Sequence, residues 1–277
     1  MRRILVVAAC LGVALMTMEC GSNSANPDSN GATIKVTATH DGQPFDDAIV
    51  VVSASADLDS VVAMGMTNAN GLCILSGLEP GMFTVTISRG AKGQMVYDQI
   101  SEIDLSSGGE FVQAIVVDQV LSDLLPLALN NRWDMISGDD SVASLGVFST
   151  KWIDGMLTYA FGPEVGGHPG YFSRGGLIVY DHGYEQPYGG DFIRARPVVW
   201  VDFGNAIGTR RPVPNWGFTE IMEKDTTVIV PAGTFTNCLH VGLTGTVEGG
   251  IWFAPGVGVV RVDRNGVILE LTAYELH

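Results

Sequence analysis

The residues best suited to chemistry lie between 162 and 197, where tyrosines, histidines and aspartates stand among glycines. Asp181 directly precedes His182, and such a pair can hold a metal ion or transfer a proton. Neighbouring residues of a strand point to opposite faces, so the two side chains would converge only across a turn. We therefore expect a solvated loop whose tyrosines cover the edge of a sheet.

A second interpretation of this stretch is that its aromatic rings contact a ligand. Exposed tyrosines present flat faces that suit sugars or peptides. The possible ligand contacts are Tyr180, Asp181, His182, Tyr184, Tyr188 and Trp252. We expect no catalytic residue, no metal site and no cofactor, because the sequence has no H-E-x-x-H, G-x-S-x-G or phosphate-loop motif.

The composition excludes one class of partner. The formal net charge is −15, and no cluster of lysine and arginine interrupts it. Such a field repels polyanions, so we expect no nucleic-acid partner. Hydrophobic residues make up 46% of the chain, which is enough to build packed cores.

The N-terminus has the pattern of an export signal. Two arginines precede an uncharged apolar run from Ile4 to Met18, which is too short for a membrane span but typical of a signal peptide. Cys20 and a Gly/Ser/Asn-rich segment follow, and the arrangement resembles a bacterial lipoprotein signal. The resemblance implies a signal peptide over 1–19, a lipid on Cys20 and a flexible tether over 20–31.

This N-terminus predicts an extracytoplasmic protein anchored to the bacterial outer membrane or cell surface. Two alternatives remain open from the residues: a secretory leader cut a few residues later, and an uncleaved anchor. A cut leader would release a secreted or periplasmic soluble protein.

Residues 32–118 alternate between strand and turn patterns, with about seven strands at the spacing of a β-sandwich. The segment "TNANGLCILSGLEPGMFTVTIS" resembles the carboxypeptidase-regulatory-like, transthyretin-like sandwich. In it Asn70-Gly71 suits a hairpin turn, Pro80-Gly81 suits a second turn, and Leu78 suits the core. The resemblance implies an accessory module that spaces, stacks or binds.

Residues 119–133 are expected to form the boundary, with one helical turn or an extended linker from Leu121 to Leu129. From 124 to 277 the chain is again rich in strand patterns, and the phrases "VIVPAGTFTNCLHV" and "IWFAPGVGVVRVDRNG" stand out. They resemble secreted bacterial domains of unknown function, which implies a curved antiparallel sheet similar to a half-barrel. The sequence thus predicts an all-β protein with a sandwich followed by this sheet.

The stretch "APGVG" fits a tight hairpin connection, with the rim of an active site as the alternative. Cys73 and Cys238 lie in apolar strand-like runs of the two different domains. We expect both to be buried thiols, and a disulfide between them is the alternative.

Three functions follow from these patterns. The first is a non-enzymatic, membrane-anchored lipoprotein that binds an envelope protein, glycan or lipid, or helps an assembly to form. The second is a periplasmic lipid or lipopeptide carrier with an apolar concavity lined by Trp152, Trp200 and Trp252. The third is a hydrolase of polysaccharide or cell wall, which needs two carboxylates, or a histidine and a carboxylate, converging within 162–197.

Overall fold

The computed structural model describes residues 31–277 apart from 56, 92, 155, 165, 166, 188, 215 and 216. The described chain is all-β, as the sequence predicts, and consists of strands, turns and connecting segments. No helix among these residues has the length and apolar character needed to cross a bilayer.

Two small sheets form a sandwich from the first nine strands. One contains β1, β2, β5 and β8, and the other runs in the order β4-β3-β6-β7-β9. The strands are β1 Ala32–His40, β2 Gln43–Pro44, β3 Ile49–Ala54, β4 Asp57–Met66, β5 Leu72–Leu78, β6 Met82–Ala91, β7 Gln94–Asp104, β8 Gly109–Val116 and β9 Gln119–Ser122.

The remaining strands form one antiparallel sheet of twelve, in the order β15-β14-β13-β12-β11-β10-β21-β20-β19-β18-β17-β16. They are β10 Arg132–Ser137, β11 Val142–Ile153, β12 Met156–Pro163, β13 Gly170–Gly175, β14 Ile178–Glu185, β15 Asp191–Asp202, β16 Arg210–Val213, β17 Gly217–Val230, β18 Gly233–Gly245, β19 Gly249–Ala254, β20 Gly258–Arg264 and β21 Val267–Glu275. This large sheet curves until its two ends approach, where Thr219 Oγ1 donates a hydrogen bond of 2.9 Å to the Trp200 carbonyl. The curved antiparallel sheet expected from the sequence is confirmed.

Two sequence expectations about local structure are wrong. Residues 162–197 contribute three strands of the large sheet, where a solvated loop was expected. The Asn70-Gly71 turn joins β4 in one sheet of the sandwich to β5 in the other, because β5 pairs with β1. It is therefore a crossing between sheets and does not close a hairpin. Residues 119–122, at the start of the expected boundary, form β9 beside β7, and the division into domains stays a prediction.

The short apolar run "IVVV" in β3 is buried on both faces. Val50 and Val52 pack into the core of the sandwich. Ile49 and Val51, which point the other way, pack against Tyr180 of the large sheet. A run without alternation therefore marks a strand covered on both sides.

The inner face of the large sheet is filled by aromatic side chains. A series of ring contacts with centroids 5.1–6.4 Å apart runs through Trp133, Phe161, Phe172, Trp200, Phe253 and Phe203. Cys238 is buried in this core, and Cys73 is buried in the core of the sandwich. The expectation of two separate buried thiols is confirmed.

The "APGVG" segment is the hairpin connection between β19 and β20, as expected. It also makes a contact with Trp133 that its sequence does not predict. The Trp133 indole donates a hydrogen bond of 2.6 Å to the Val257 carbonyl. Gly258, with φ of +99°, lies beneath this ring, where an added Cβ would come within 2.9 Å of the indole.

The same hairpin touches the sandwich. The Gly256 amide donates a hydrogen bond of 2.9 Å to the Asp123 carbonyl, and the Asp123 amide donates one of 2.7 Å to the Gly93 carbonyl. The turn after β6 therefore packs directly on the turn after β19. We call the contact region between sandwich and large sheet the junction.

Gly93→Ala should destabilise the protein more than Gly42→Ala. Both glycines have positive φ, +75° and +72°, so each change carries the left-handed penalty of about 1 kcal/mol. At Gly93 the new Cβ would lie 2.3 Å from the Gly256 carbonyl oxygen, whereas Gly42 has no atom within 4 Å. We expect this contact to cost about 1–3 kcal/mol more in urea unfolding. An equal loss of unfolding free energy in the two variants would show that the junction shifts to accommodate the added methyl group at no cost.

Candidate functional site

The Asp181–His182 pair is divided between the two faces of β14. The Asp181 carboxylate accepts a hydrogen bond of 2.7 Å from Arg194 Nη2, and one of 2.7 Å from the Gly183 amide. His182 Nε2 lies 2.7 Å from the hydroxyl of Ser173 on the neighbouring strand. The two side chains do not converge, as strand alternation requires.

Three of the expected ligand contacts are closed to solvent. Tyr180, Asp181 and His182 are 1%, 4% and 3% exposed. The expected exposure of these residues is wrong, because the sandwich covers one face of these strands and the core of the large sheet covers the other. Their contact with a ligand stays a prediction. Tyr180 packs with Ile49 and Val51 of β3.

The Ser173–His182 pair has the residue types of a catalytic dyad but not the setting. Ser173 is fully buried. Burial lowers the pKa of His182 to about 4, so the imidazole is neutral at pH 7. The Ser173 hydroxyl and the neutral His182 ring are hydrogen-bonded to each other inside the protein. This contact stabilises the interior, and a substrate cannot reach it.

The other expected contacts have mixed positions. Tyr184 is half-buried and its ring lies 5.2 Å from that of Phe192. Tyr188 and Cys20 lie outside the described residues. The expectations for these two residues stay predictions.

Trp252 is half-buried on the outer face of the large sheet. Its indole stacks on the His240 ring at 3.9 Å with an interplanar angle of 10°. The guanidinium of Arg261 lies 5.1 Å from the indole centroid. Neighbours from the adjacent strands thus lie along both faces of the ring, so Trp252 does not offer the free flat surface expected for a sugar.

The electrostatics of this stack follow from its neighbours. Burial lowers the pKa of His240, the carboxylate of Glu223 acts in the opposite direction, and the positive charge of Arg261 lowers it further. The His240 ring stacked on Trp252 is therefore neutral at neutral pH. We read the stack as cross-strand stabilisation of the sheet.

The three tryptophans proposed to line a lipid concavity lie in different places. Trp152 is 63% exposed on β11, and Trp200 is 3% exposed within the aromatic core. Trp252 lies on the outer face. The concavity lined by all three is not formed, and the carrier hypothesis loses the feature on which it depended.

A buried ion pair lies at the junction, which the sequence did not identify as a site. The Asp123 carboxylate forms an ion pair with the Arg174 guanidinium, and the two side chains are 1% and 6% exposed. Arg174 also donates hydrogen bonds of 3.1 Å to the Leu125 carbonyl and 2.9 Å to the Gly176 carbonyl. Burial lowers the pKa of Arg174 to about 9, which leaves it charged at pH 7.

A small cavity of about 40 Å³ adjoins this ion pair. Asp47 and Ser88 of the sandwich line it, together with Tyr159 of the large sheet. Burial raises the pKa of Tyr159, and the charge of Asp47 raises it further. The space accommodates about three or four water molecules at roughly 10–15 Å³ each, and is too small for a substrate.

Sequence signals for this junction exist but are weak. Asp123 is the one charge in the leucine-rich "VLSDLLPLAL", and Arg174 stands in the apolar "YFSRGGLIV". An isolated charge in such a run indicates a buried ion pair, but its partner cannot be read from the chain. Among the described residues, no three His, Cys, Asp or Glu side chains are grouped as a metal site would require.

No family model and no curated protein matches the chain. Among solved structures it is similar to the Bacillus anthracis TIE protein, with 11% identity, a TM-score of 0.24 and coverage of 81% of this chain. The match spans 48% of the TIE protein, about half of its length. A second similar structure is the shaft pilin SpaA of Lactobacillus rhamnosus GG, with 8% identity, a TM-score of 0.21 and coverage of 59% of this chain and 92% of the pilin. Likenesses of this size carry no argument about function.

The pH dependence of stability should reveal the buried imidazole. The pKa of His182 is about 4 in the folded protein and near 6.5 when unfolded, so its contribution is complete above pH 6.5 and is lost as the pH falls towards 4. The stability advantage of the wild type over His182→Gln should shrink by about 3 kcal/mol between pH 7 and pH 4. Urea unfolding across this range measures it.

The matched control is His168→Gln, which removes an exposed imidazole from the same part of the chain. A stability advantage over His182→Gln that stays constant with pH would contradict the burial of the His182 ring.

Removing one partner of the junction ion pair should be costly. Asp123→Ala leaves the Arg174 charge buried without its counter-ion, so we expect a loss of about 3–5 kcal/mol in urea unfolding. Asp46→Ala is the matched control, because it breaks the more exposed ion pair with Arg89, worth less than about 1 kcal/mol. Similar losses for the two variants would show that the junction does not depend on this pair.

Proposed function

We propose that this protein is a non-enzymatic module, tethered in the bacterial envelope by a lipid on Cys20, that acts by binding another protein in an assembly. Its task is then to hold a β-surface near the membrane, within reach of the flexible tether. Chemistry on a substrate is not part of this function.

One observation carries the proposal: the buried charged groups are engaged with one another. The side chains of Asp123 and Arg174 are paired at the junction, and those of Asp181 and Arg194 are paired within the large sheet, each no more than 7% exposed. Charged side chains that form buried ion pairs with each other stabilise a rigid body and are unavailable to a substrate. A rigid body favours binding, because less conformational entropy is lost when the surface meets its partner.

The sequence adds support from outside the described residues. The apolar leader and Cys20 match an exported lipoprotein, and the net charge of −15 suits a soluble surface that avoids polyanions. A glycan or lipid partner fits less well, because neither a free aromatic face at Trp252 nor the expected tryptophan-lined concavity is present among the described residues.

The anchor is tested by lipid labelling. The full chain is expressed in a bacterial host with an alkyne-tagged palmitate, and the membrane fraction is probed for incorporated label. We expect the wild type to be labelled and Cys20→Ser to lose both label and membrane association, because Cys20 supplies the thiol. Cys10→Ser, which changes the other cysteine of the leader, should keep the label.

Two outcomes would contradict the proposal. An unlabelled wild type would remove the anchor, and a label that survives Cys20→Ser would place the lipid elsewhere.

A further inference from the structure

Strand β8 is an open edge of the sandwich. It pairs in parallel with β1 along its whole length, from Ala32 opposite Gly109 to Thr39 opposite Val116, and has no second neighbour among the described strands. Edge strands usually carry a lysine, a proline or a bulge that prevents pairing with another chain. In β8, "GEFVQAIV", the pairing has no register shift and Glu110 is the single charge.

The unpaired backbone groups of β8 coincide with its exposed apolar side chains. The Val117 amide donates to the Thr39 carbonyl at 2.8 Å, so the odd-numbered residues direct their backbone groups to β1. By the alternation of a strand, the even-numbered residues direct theirs to the open edge. Among these, Val112 and Val116 are 60% and 63% exposed, and Ile74 on the same sheet is 41% exposed.

We propose that a second copy of this chain pairs antiparallel with β8 and extends the sheet across a two-fold axis. The even-numbered residues then form the hydrogen-bonded pairs, with Val112 of one copy opposite Ala114 of the second and Glu110 opposite Val116. The axis passes through Gln113. This inference rests on the proposed binding function and names the partner as the protein itself.

The charge on β8 itself is low. Two chains of net charge −15 repel, and β8 contributes one carboxylate to the contact. In the proposed register the two Glu110 residues lie at opposite ends of the paired strands, roughly 20 Å apart at 3.4 Å per residue. That separation exceeds the Debye length of about 8 Å at physiological salt, so their repulsion is largely screened.

The position of the tether is compatible with pairing on one membrane. Ala32 lies opposite Gly109, so each chain enters the sandwich beside the start of β8. In the antiparallel pair the two entry points are separated by the length of the strands, roughly 25 Å. Residues 21–30 can span up to roughly 33 Å when extended, so both Cys20 residues can reach a common bilayer.

A disulfide experiment tests the register. Residues 21–277 contain every described residue, and their native cysteines, Cys73 and Cys238, are buried. Gln113 would face its own copy as a non-hydrogen-bonded pair with Cα atoms about 4.5 Å apart, within the range of a disulfide. Mild oxidation should therefore convert Gln113→Cys into a covalent dimer, while Glu110→Cys on the same strand stays monomeric.

A mass measurement tests the surface itself. In sedimentation equilibrium we expect the wild-type mass to rise towards twice the monomer mass with concentration. Val112→Lys should abolish the rise, because a lysine on the edge strand opposes pairing. Val142→Lys, which changes a valine 74% exposed on β11, should behave as the wild type.

Three results would overturn the inference: a monomer at every concentration, a dimer that survives Val112→Lys, or oxidation that links Glu110→Cys as readily as Gln113→Cys. The lipid labelling of Cys20 is a separate readout. A monomer that is still lipidated would contradict self-pairing and leave the proposed anchor on Cys20 in place. A dimer that carries no lipid would contradict the anchor and leave self-pairing in place.

Discussion

The buried ion pair of Asp123 and Arg174 is the contact on which the arrangement of the chain depends. Each charge is closed to solvent, so each requires the other. Asp123 follows the last strand of the sandwich, and Arg174 belongs to β13 of the large sheet. The sandwich and the sheet therefore meet at a buried ion pair with hydrogen bonds to backbone carbonyls around it. The apolar contacts of Ile49 and Val51 with Tyr180 join the same two parts.

The most distinctive phrase of the sequence contributes to the same junction. The turn "APGVG" receives the Trp133 indole on its Val257 carbonyl and reaches the Asp123 backbone through Gly256. Its glycines leave room for a ring on one side and a second turn on the other. What looks like the rim of an active site in the sequence is a packing element, since its contacts are made with the protein itself.

In the 162–197 segment, residue types predicted the direction of side chains but not their burial. The reasoning that Asp181 and His182 point apart was right, because it used only the alternation of a strand. The expectation of exposure was wrong at Tyr180, Asp181 and His182. Glycine-rich sequence suggested a loop there, but pairing on both sides and coverage by the sandwich made β13 and β14 buried strands. Residue types alone do not reveal coverage of that kind, since it comes from a segment over a hundred residues away.

The sequence by itself determined the all-β class, the hairpin at "APGVG" and the separate burial of Cys73 and Cys238, because turn residues and apolar periodicity act locally. The curved sheet was implied by the resemblance of the last two motifs to secreted bacterial domains. Only the tertiary structure decided that β4 and β5 lie in different sheets, that Asp123 meets Arg174, and that β8 is left with an open edge. These are long-range pairings. A strand carries the same alternation whether its neighbour is β1 or solvent, so the partner is set by the packing of the whole chain.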